Sequence, residues 1–191
     1  MLPLPDVHKL DAKILPMALQ VEFIVDNKTL ADEASGITMA TITNRRAPIA
    51  VITQRILAHG WWPRMYSLPL VSWRNRSWNT LADNLCNLAM NTESDCKFQA
   101  AEFAQWQFVP GQLIQCHSDG GVRSDSKAAA ACTLMVLCLS NGNLERRLLR
   151  AEAVFIKDGS TSDIAERCAL TLAMRTMQEF IAGFSPVVYN I

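Results

Sequence analysis

The chain has 191 residues, enough for one ordinary domain with a sizeable core. Half of them are hydrophobic, and 18 basic residues balance 18 acidic ones, a composition that excludes a disordered tail and leaves any phosphate-binding surface to a local basic patch. The longest apolar run, 128–139, is far short of the ~20 residues that a membrane helix needs.

The 1–18 segment, with Pro3, Pro5 and Pro16, reads as an irregular lead-in. A first strand is expected over 18–25, then a short helix over 27–34 stopped by Ser35-Gly36. Pro48 opens a stronger helical pattern, with Ile49, Ile52, Ile56 and Leu57 at helical spacing, which ends at His59-Gly60. Trp61-Trp62-Pro63 reads as a turn, and 65–73 as a strand whose Pro69 suits an edge or a bulge. A helix follows from Trp78 to Met90, which Ser77 or Asn79 can cap. Between 91 and 112 the pattern allows a short helix, Cys96 to Gln107, closed by Pro110-Gly111.

From Leu113 onward a three-stranded meander is predicted over 113–118, 130–140 and 148–156, with Asn141-Gly142-Asn143 as the turn between its last two strands. Ser162 or Asp163 caps a long helix whose apolar faces include Ile164, Ala165, Leu170, Leu172, Ala173, Met177 and Phe180, and Gly183 ends it. Val187-Val188-Tyr189 could begin another strand. The six cysteines, Cys86, Cys96, Cys116, Cys132, Cys138 and Cys168, show no CxxC spacing and no signal-peptide pattern opens the chain. They are expected as buried, reduced thiols of an intracellular protein of the cytoplasm or nucleus, acting as small hydrophobes.

Four acidic residues sit at the ends or on the faces of these elements. Asp26 follows the strand Val21-Glu22-Phe23-Ile24-Val25, and Asp83 lies in the helix that carries Asn79-Thr80-Leu81-Ala82-Asp83. Asp119 enters Gly120-Gly121 after Leu113-Ile114-Gln115-Cys116-His117-Ser118, and Glu166 stands in Asp163-Ile164-Ala165-Glu166-Arg167-Cys168-Ala169-Leu170. With 3.6 residues per turn, Asp163, Glu166 and Leu170 share a helix face. Taken singly, Asp-Gly-Gly is usually a turn and Asp26-Asn27 a helix cap. Together, in rotated order, the four motifs resemble the active site of the ribonuclease H family. There the strand with Asp-Gly comes first, and the helix with Asn-x-x-Ala-Asp comes last.

The resemblance implies an α/β fold, a mixed five-stranded sheet with helices on both faces, in circularly permuted order. It makes 1–191 one domain, with 1–90 as the permuted C-terminal half, 91–112 as a linker and 113–191 as the permuted N-terminal half. The strands of Asp119 and Asp26 are then parallel neighbours. The resemblance also implies a metal-dependent endoribonuclease that cleaves the RNA strand of RNA/DNA hybrids. Two Mg2+ ions, or Mn2+ in their place, would compensate the mutual repulsion of the carboxylates. Asp119 would bridge both ions, Asp26 and Asp83 would hold one each, and Glu166 would complete the second site near the ribose 2′-hydroxyl. Substrate contacts fall to Gly120, Gly121, Arg123, Asn27, Arg74, Arg76 and Asn79.

Departures from the family pattern are Asn27 in place of the usual Ser, and Val122-Arg123-Ser124-Asp125-Ser126 in place of a Gly- and Asn-rich loop. No histidine stands shortly before Asp83, and Arg74 or Arg76 takes that position, as in retroelement members. That likeness implies an origin in a reverse-transcriptase polyprotein, as a monomer or a domain-swapped dimer. The alternatives are a catalytically inactive nucleic-acid-binding or scaffolding module of a retroelement protein, and another nuclease of the superfamily. His117 reads as a packed or surface residue. Trp61, Trp62, Trp73 and Trp78 read as core aromatics with base stacking as the alternative, and Arg146-Arg147 as either phosphate contacts or a solvated face.

Overall fold

A computed structural model describes residues 20–35, 62–63, 71–104, 106, 112–140, 143–157 and 161–182. The strands are β1 (Gln20–Val25), β2 (Trp62–Pro63), β3 (Val71–Trp73), β4 (Cys96–Gln99), β5 (Leu113–Val122), β6 (Ala128–Ser140) and β7 (Asn143–Ile156). The helices are α1 (Lys28–Ala34), α2 (Thr80–Thr92) and α3 (Ser162–Ala182), with single 3-10 turns at Arg76–Trp78 and Ala101–Ala104. All the described strands join one mixed sheet, so the fold is α/β.

The meander pairs antiparallel along β5, β6 and β7, and β1 runs parallel to β5 from Gln20↔Leu113 to Val25↔Ser118. Both β2 and β3 pair parallel with β1, β2 opposite Gln20 and Val21 and β3 opposite Phe23 to Val25. Because β5 fills the other edge of β1, these two short strands share one position, end to end. The described sheet therefore has six positions where five were expected. The sixth is β4, antiparallel to β7, in the stretch for which a helix over 96–107 was expected. Trp62-Pro63, expected as a turn, starts the edge position instead. Thus 91–112 is more than a connection. It supplies an edge strand, and Phe103 of the following 3-10 turn packs into the core, its ring 5.1 Å from that of Phe180.

Alternation along the strands separates two faces. Cys132, Leu134 and Val136 of β6 face α3, whose Leu170, Ala173, Met174, Met177 and Phe180 bury against them with Val21, Phe23 and Val25 of β1. Each large side chain buried there contributes roughly 1.5–3 kcal/mol. Ala129 and Ala131 face the other way, onto Cys86, Ala89 and Met90 of α2. The buried residues of α2, Ala82, Cys86, Ala89 and Met90, recur at helical spacing, and the alanines beneath let that helix lie close to the sheet. β1 is buried on both faces, as a central parallel strand requires.

Local capping differs from expectation in one place. Asn79 occupies the first cap position of α2 without a side-chain cap bond, and Asn75 instead accepts from Ser77 N. Thr161 Oγ1 accepts from Ile164 N at the start of α3. All six cysteines are free; Cys86, Cys116 and Cys132 are buried, whereas Cys168 is exposed. The expected helix over 48–60, the turn at Asn141-Gly142, the stop at Gly183 and the strand at 187–189 lie outside the described residues. No described helix is long and apolar enough to cross a membrane.

Candidate metal centre

β1 stops at Val25 while β5 runs on with β6 to Val122, so the sheet has a notch at the carboxyl end of β1. Such carboxyl ends of parallel strands are natural ligand positions. Asp26 enters the notch directly from β1, and Asp119 projects from β5 one residue beyond the last β1 pair. Glu166 arrives from α3. One carboxylate oxygen from each of these three lies within 4.8 Å of the others.

Gly120 makes the approach of α3 possible. A Cβ there would fall 2.2 Å from Ala165 C and from Glu166 N, so only glycine lets the Glu166 turn touch the strand. Asn79, 1% exposed, fixes Asp119 from the α2 side, donating from Nδ2 to the Ser118 carbonyl at 2.7 Å and reaching Asp119 Oδ1 at 3.5 Å. Cys86 Sγ lies 3.1 Å from the Asp119 carbonyl oxygen and 3.2 Å from that of Ala129. Burial and the nearby Asp119 charge push this thiol well up, so it stays neutral. Trp73 Nε1 donates to the Asp26 carbonyl at 3.0 Å, which holds the chain just past β1.

The electrostatics are those of crowded acids. Two carboxylates at this spacing repel by about 3–4 kcal/mol under an effective dielectric of 20. Burial, then repulsion from Asp26 and Asp83, raises Asp119 to about 7. Burial, then Asp26 and Asp119, raises Glu166 to about 8. Asp26 is raised as well, chiefly by burial, against the opposing pull of Arg76. Glu166 Oε2 is buried and accepts no hydrogen bond. An all-oxygen, all-carboxylate donor set with an unsatisfied buried oxygen fits a hard divalent cation, which prefers such ligands.

Asp83 stands outside this trio. The Arg76 guanidinium hydrogen-bonds Asp83 Oδ1, and the same cation lowers the pKa values of Asp26, Asp119 and Glu166.

The expected substrate contacts divide differently. Asn27 Oδ1 caps α1, accepting from Leu30 N at 3.0 Å. Gly120 faces the α3 backbone, and a Cβ added at Gly121 would lie 3.2 Å from Met90 Cε. Arg123 is tied to α2 through Asn91 Oδ1 at 2.6 Å and Asn87 Oδ1 at 3.2 Å. Arg74 donates to buried Glu22 at 2.8 Å, and Glu22 also accepts from Gln115 at 2.8 Å. Asn79 is a buried support of Asp119. Of these residues Arg76, with a side chain 72% exposed, is the one presented to the surface beside the carboxylates.

The sequence reading did not single out Cys86 as a support of the site, the Trp73 bond to Asp26, or the Glu22–Arg74–Gln115 network. One signal was available for the last: Glu22 interrupts an otherwise apolar central strand, and a charge there needs a partner. His117 is packed, one of the two readings its place on a strand suggested. It is 3% exposed, neither ring nitrogen makes a hydrogen bond within normal geometry, and burial lowers its pKa to about 4.

No protein-family model and no curated protein matches this chain. Solved structures with a detectable match include a PelC variant dodecamer from Paraburkholderia phytofirmans, 9% identical over 87% of this chain and 88% of that chain, with a TM-score of 0.27. A likeness that slight carries no argument about fold or function.

Proposed function

We propose that the chain is a ribonuclease H-like nuclease in circularly permuted order that cleaves the RNA strand of RNA/DNA hybrids at the Asp26, Asp119 and Glu166 centre. The observation that carries this reading is the convergence of those three carboxylates, from two parallel neighbouring strands and one helix, on a single notch. The strand succession supports it. Placing 113–182 before 20–92 puts the Asp119 strand first, the two strands that pair outward from it next, the Glu166 helix after them, and the Asp26 strand beside the first.

Magnesium held by Asp26, Asp119 and Glu166, with a second ion toward Asp83 and manganese as the alternative, would polarise the phosphodiester and activate a water. The chain's own part is positioning. Asn79 and Cys86 hold Asp119 from one face, and Gly120 admits Glu166 from the other. Arg76 offers an exposed guanidinium to a phosphate oxygen at the rim. The 2′-hydroxyl that distinguishes RNA from DNA would fall to Glu166, as the family likeness implies.

The pairing of Arg76 with Asp83 favours one rival, a nucleic-acid-binding module that keeps the fold without catalysis, because the fourth carboxylate is already engaged. Incubation of the chain with end-labelled RNA/DNA hybrid, duplex DNA and duplex RNA, with and without magnesium, separates the two. Magnesium-dependent cutting of the RNA strand of the hybrid alone, lost in Asp119→Asn, is the expected result. Hybrid binding without cutting would leave the binding module. Cutting of duplex DNA would point to another nuclease of the superfamily. The solution mass decides between a monomer and a half-exchanged dimer.

A further inference from the structure

Two exposed indoles precede α2, Trp73 at the end of β3 and Trp78 in the 3-10 turn. Trp73 is 46% exposed and Trp78 is 51% exposed, although large aromatics usually bury most of their surface. Both are held. Trp73 is pinned through Nε1 to the Asp26 carbonyl, and Trp78 belongs to the 3-10 turn between Arg76 and the buried Asn79. The Arg146 guanidinium of β7 lies over the Trp78 ring, 5.4 Å from its centroid. A flat aromatic face and a cation stacked on it therefore stand together, with Arg146 in the row of Leu137 and Leu113, six residues along β5 from Asp119, and with Arg76 two residues before Trp78 on the side of the notch.

We propose that Trp78 and Arg146 form a platform for an unpaired nucleotide of the strand that flanks the cleavage position, a refinement that rests on the nuclease reading above. An indole capped on one face by a guanidinium keeps room for one further flat partner. A base inside a duplex has both faces stacked, so the partner that fits is a base at a single-stranded end or overhang. Arg146, held within reach of that base, pairs with its phosphate, and Arg76 takes the phosphate nearer the carboxylates. Charge complementarity selects nucleic acid over an apolar protein surface, because a protein partner would have to strip water from Arg146 without supplying an anion. The preferred substrate is then a hybrid whose single-stranded extension begins some nucleotides from the cut, since six strand residues span roughly 20 Å.

The test measures dissociation constants by fluorescence anisotropy with the full chain carrying Asp119→Asn, so that nothing is cut. The ligands are a blunt RNA/DNA hybrid, the same hybrid with a single-stranded DNA extension on either side, and the extension alone. The expected result is that one extended hybrid binds at least about fivefold more tightly than the blunt one. That advantage is lost in Trp78→Ala and Arg146→Ala and largely kept in Trp78→Phe, with unchanged melting temperatures. Equal affinity for blunt and extended hybrids, or an advantage that survives Trp78→Ala, overturns the platform, and so does failure to bind any of the ligands. Cutting of the blunt hybrid by the unsubstituted chain reports separately on the nuclease reading. The platform can fail while cutting stands, and cutting can fail while the extension still binds through Trp78.

Discussion

Gly120 and Ala165 approach so closely that a single methyl group added to the glycine would lie 2.2 Å from the Ala165 carbonyl carbon. No flexible side chain is available to yield there, because the opposing atoms are α3 backbone. Gly120→Ala is expected to force strand and helix apart and to cost about 1–3 kcal/mol in urea unfolding, the usual penalty of overpacking. Gly121→Ala is the control, since its Cβ meets only the far end of Met90 at 3.2 Å. Equal tolerance of both would show that the contact does not constrain the fold.

In the absence of metal, the carboxylates make stability fall as pH rises. Asp119 at about 7 and Glu166 at about 8 both lie above their unfolded values. Their protons favour the folded state, an advantage fully present below about pH 4 and lost as pH climbs through 7 and 8. Asp119→Asn is expected to be more stable than the unsubstituted chain at pH 8, by on the order of 2 kcal/mol, and to show a shallower slope. Magnesium should raise the melting temperature of the unsubstituted chain at pH 8 and leave Asp119→Asn nearly unmoved. Melting curves between pH 5 and 8, with EDTA or magnesium, read both effects.

His117 has the opposite sign. Burial first, and Arg146 in addition, lower it to about 4 from an ordinary 6.5, against the pull of Glu22. Its neutral form belongs to the folded state, so its contribution is intact above 6.5 and is lost as pH falls toward 4. His117→Leu should melt higher than the unsubstituted chain at pH 5, with the gap narrowing by pH 7.5. A constant gap across that window would contradict a buried neutral imidazole.

Arg76 tunes the acids it faces. Its charge lowers Asp26, Asp119 and Glu166, so Arg76→Gln should leave all three harder to ionise. The acid limb of the pH–rate profile for hybrid cutting is then expected to move to higher pH, with the rate at pH 6.5 reduced severalfold. An unshifted limb with a raised KM would assign Arg76 to substrate binding alone.

The elements that carry the acids were the legible ones. The apolar β1, the 113–156 meander and the helices around Asp83 and Glu166 have strong periodicity, and the structure places all of them. β4 was missed because Cys96-Lys97-Phe98-Gln99 is only four residues long and mostly exposed, so its brief alternation does not stand out inside 96–107, and its stability comes from pairing with β7. Among the acids, three of the four converge as their motifs implied. The engagement of Asp83 depends on where the Arg76 side chain swings, which spacing does not encode. Asn79 shows the same limit, since a buried support for Asp119 and a helix cap look identical in a sequence. Trp78 depends on solvent exposure, which composition gives no hint of.

β4 also changes what the rotated order means for the molecule as an object. Residues 20–99 send strands to both outer positions of the sheet, β2 and β3 at one end and β4 at the other, with β5, β6 and β7 clasped between them. A piece cut before Leu113 would leave the central three strands with two bare borders, one on β5 and one on β7. The complementary piece would keep β1 with β2 and β3, while its β4 would lose the strand it pairs with. The two stretches are thus mutually templating fragments, each covering sheet borders that the other leaves open.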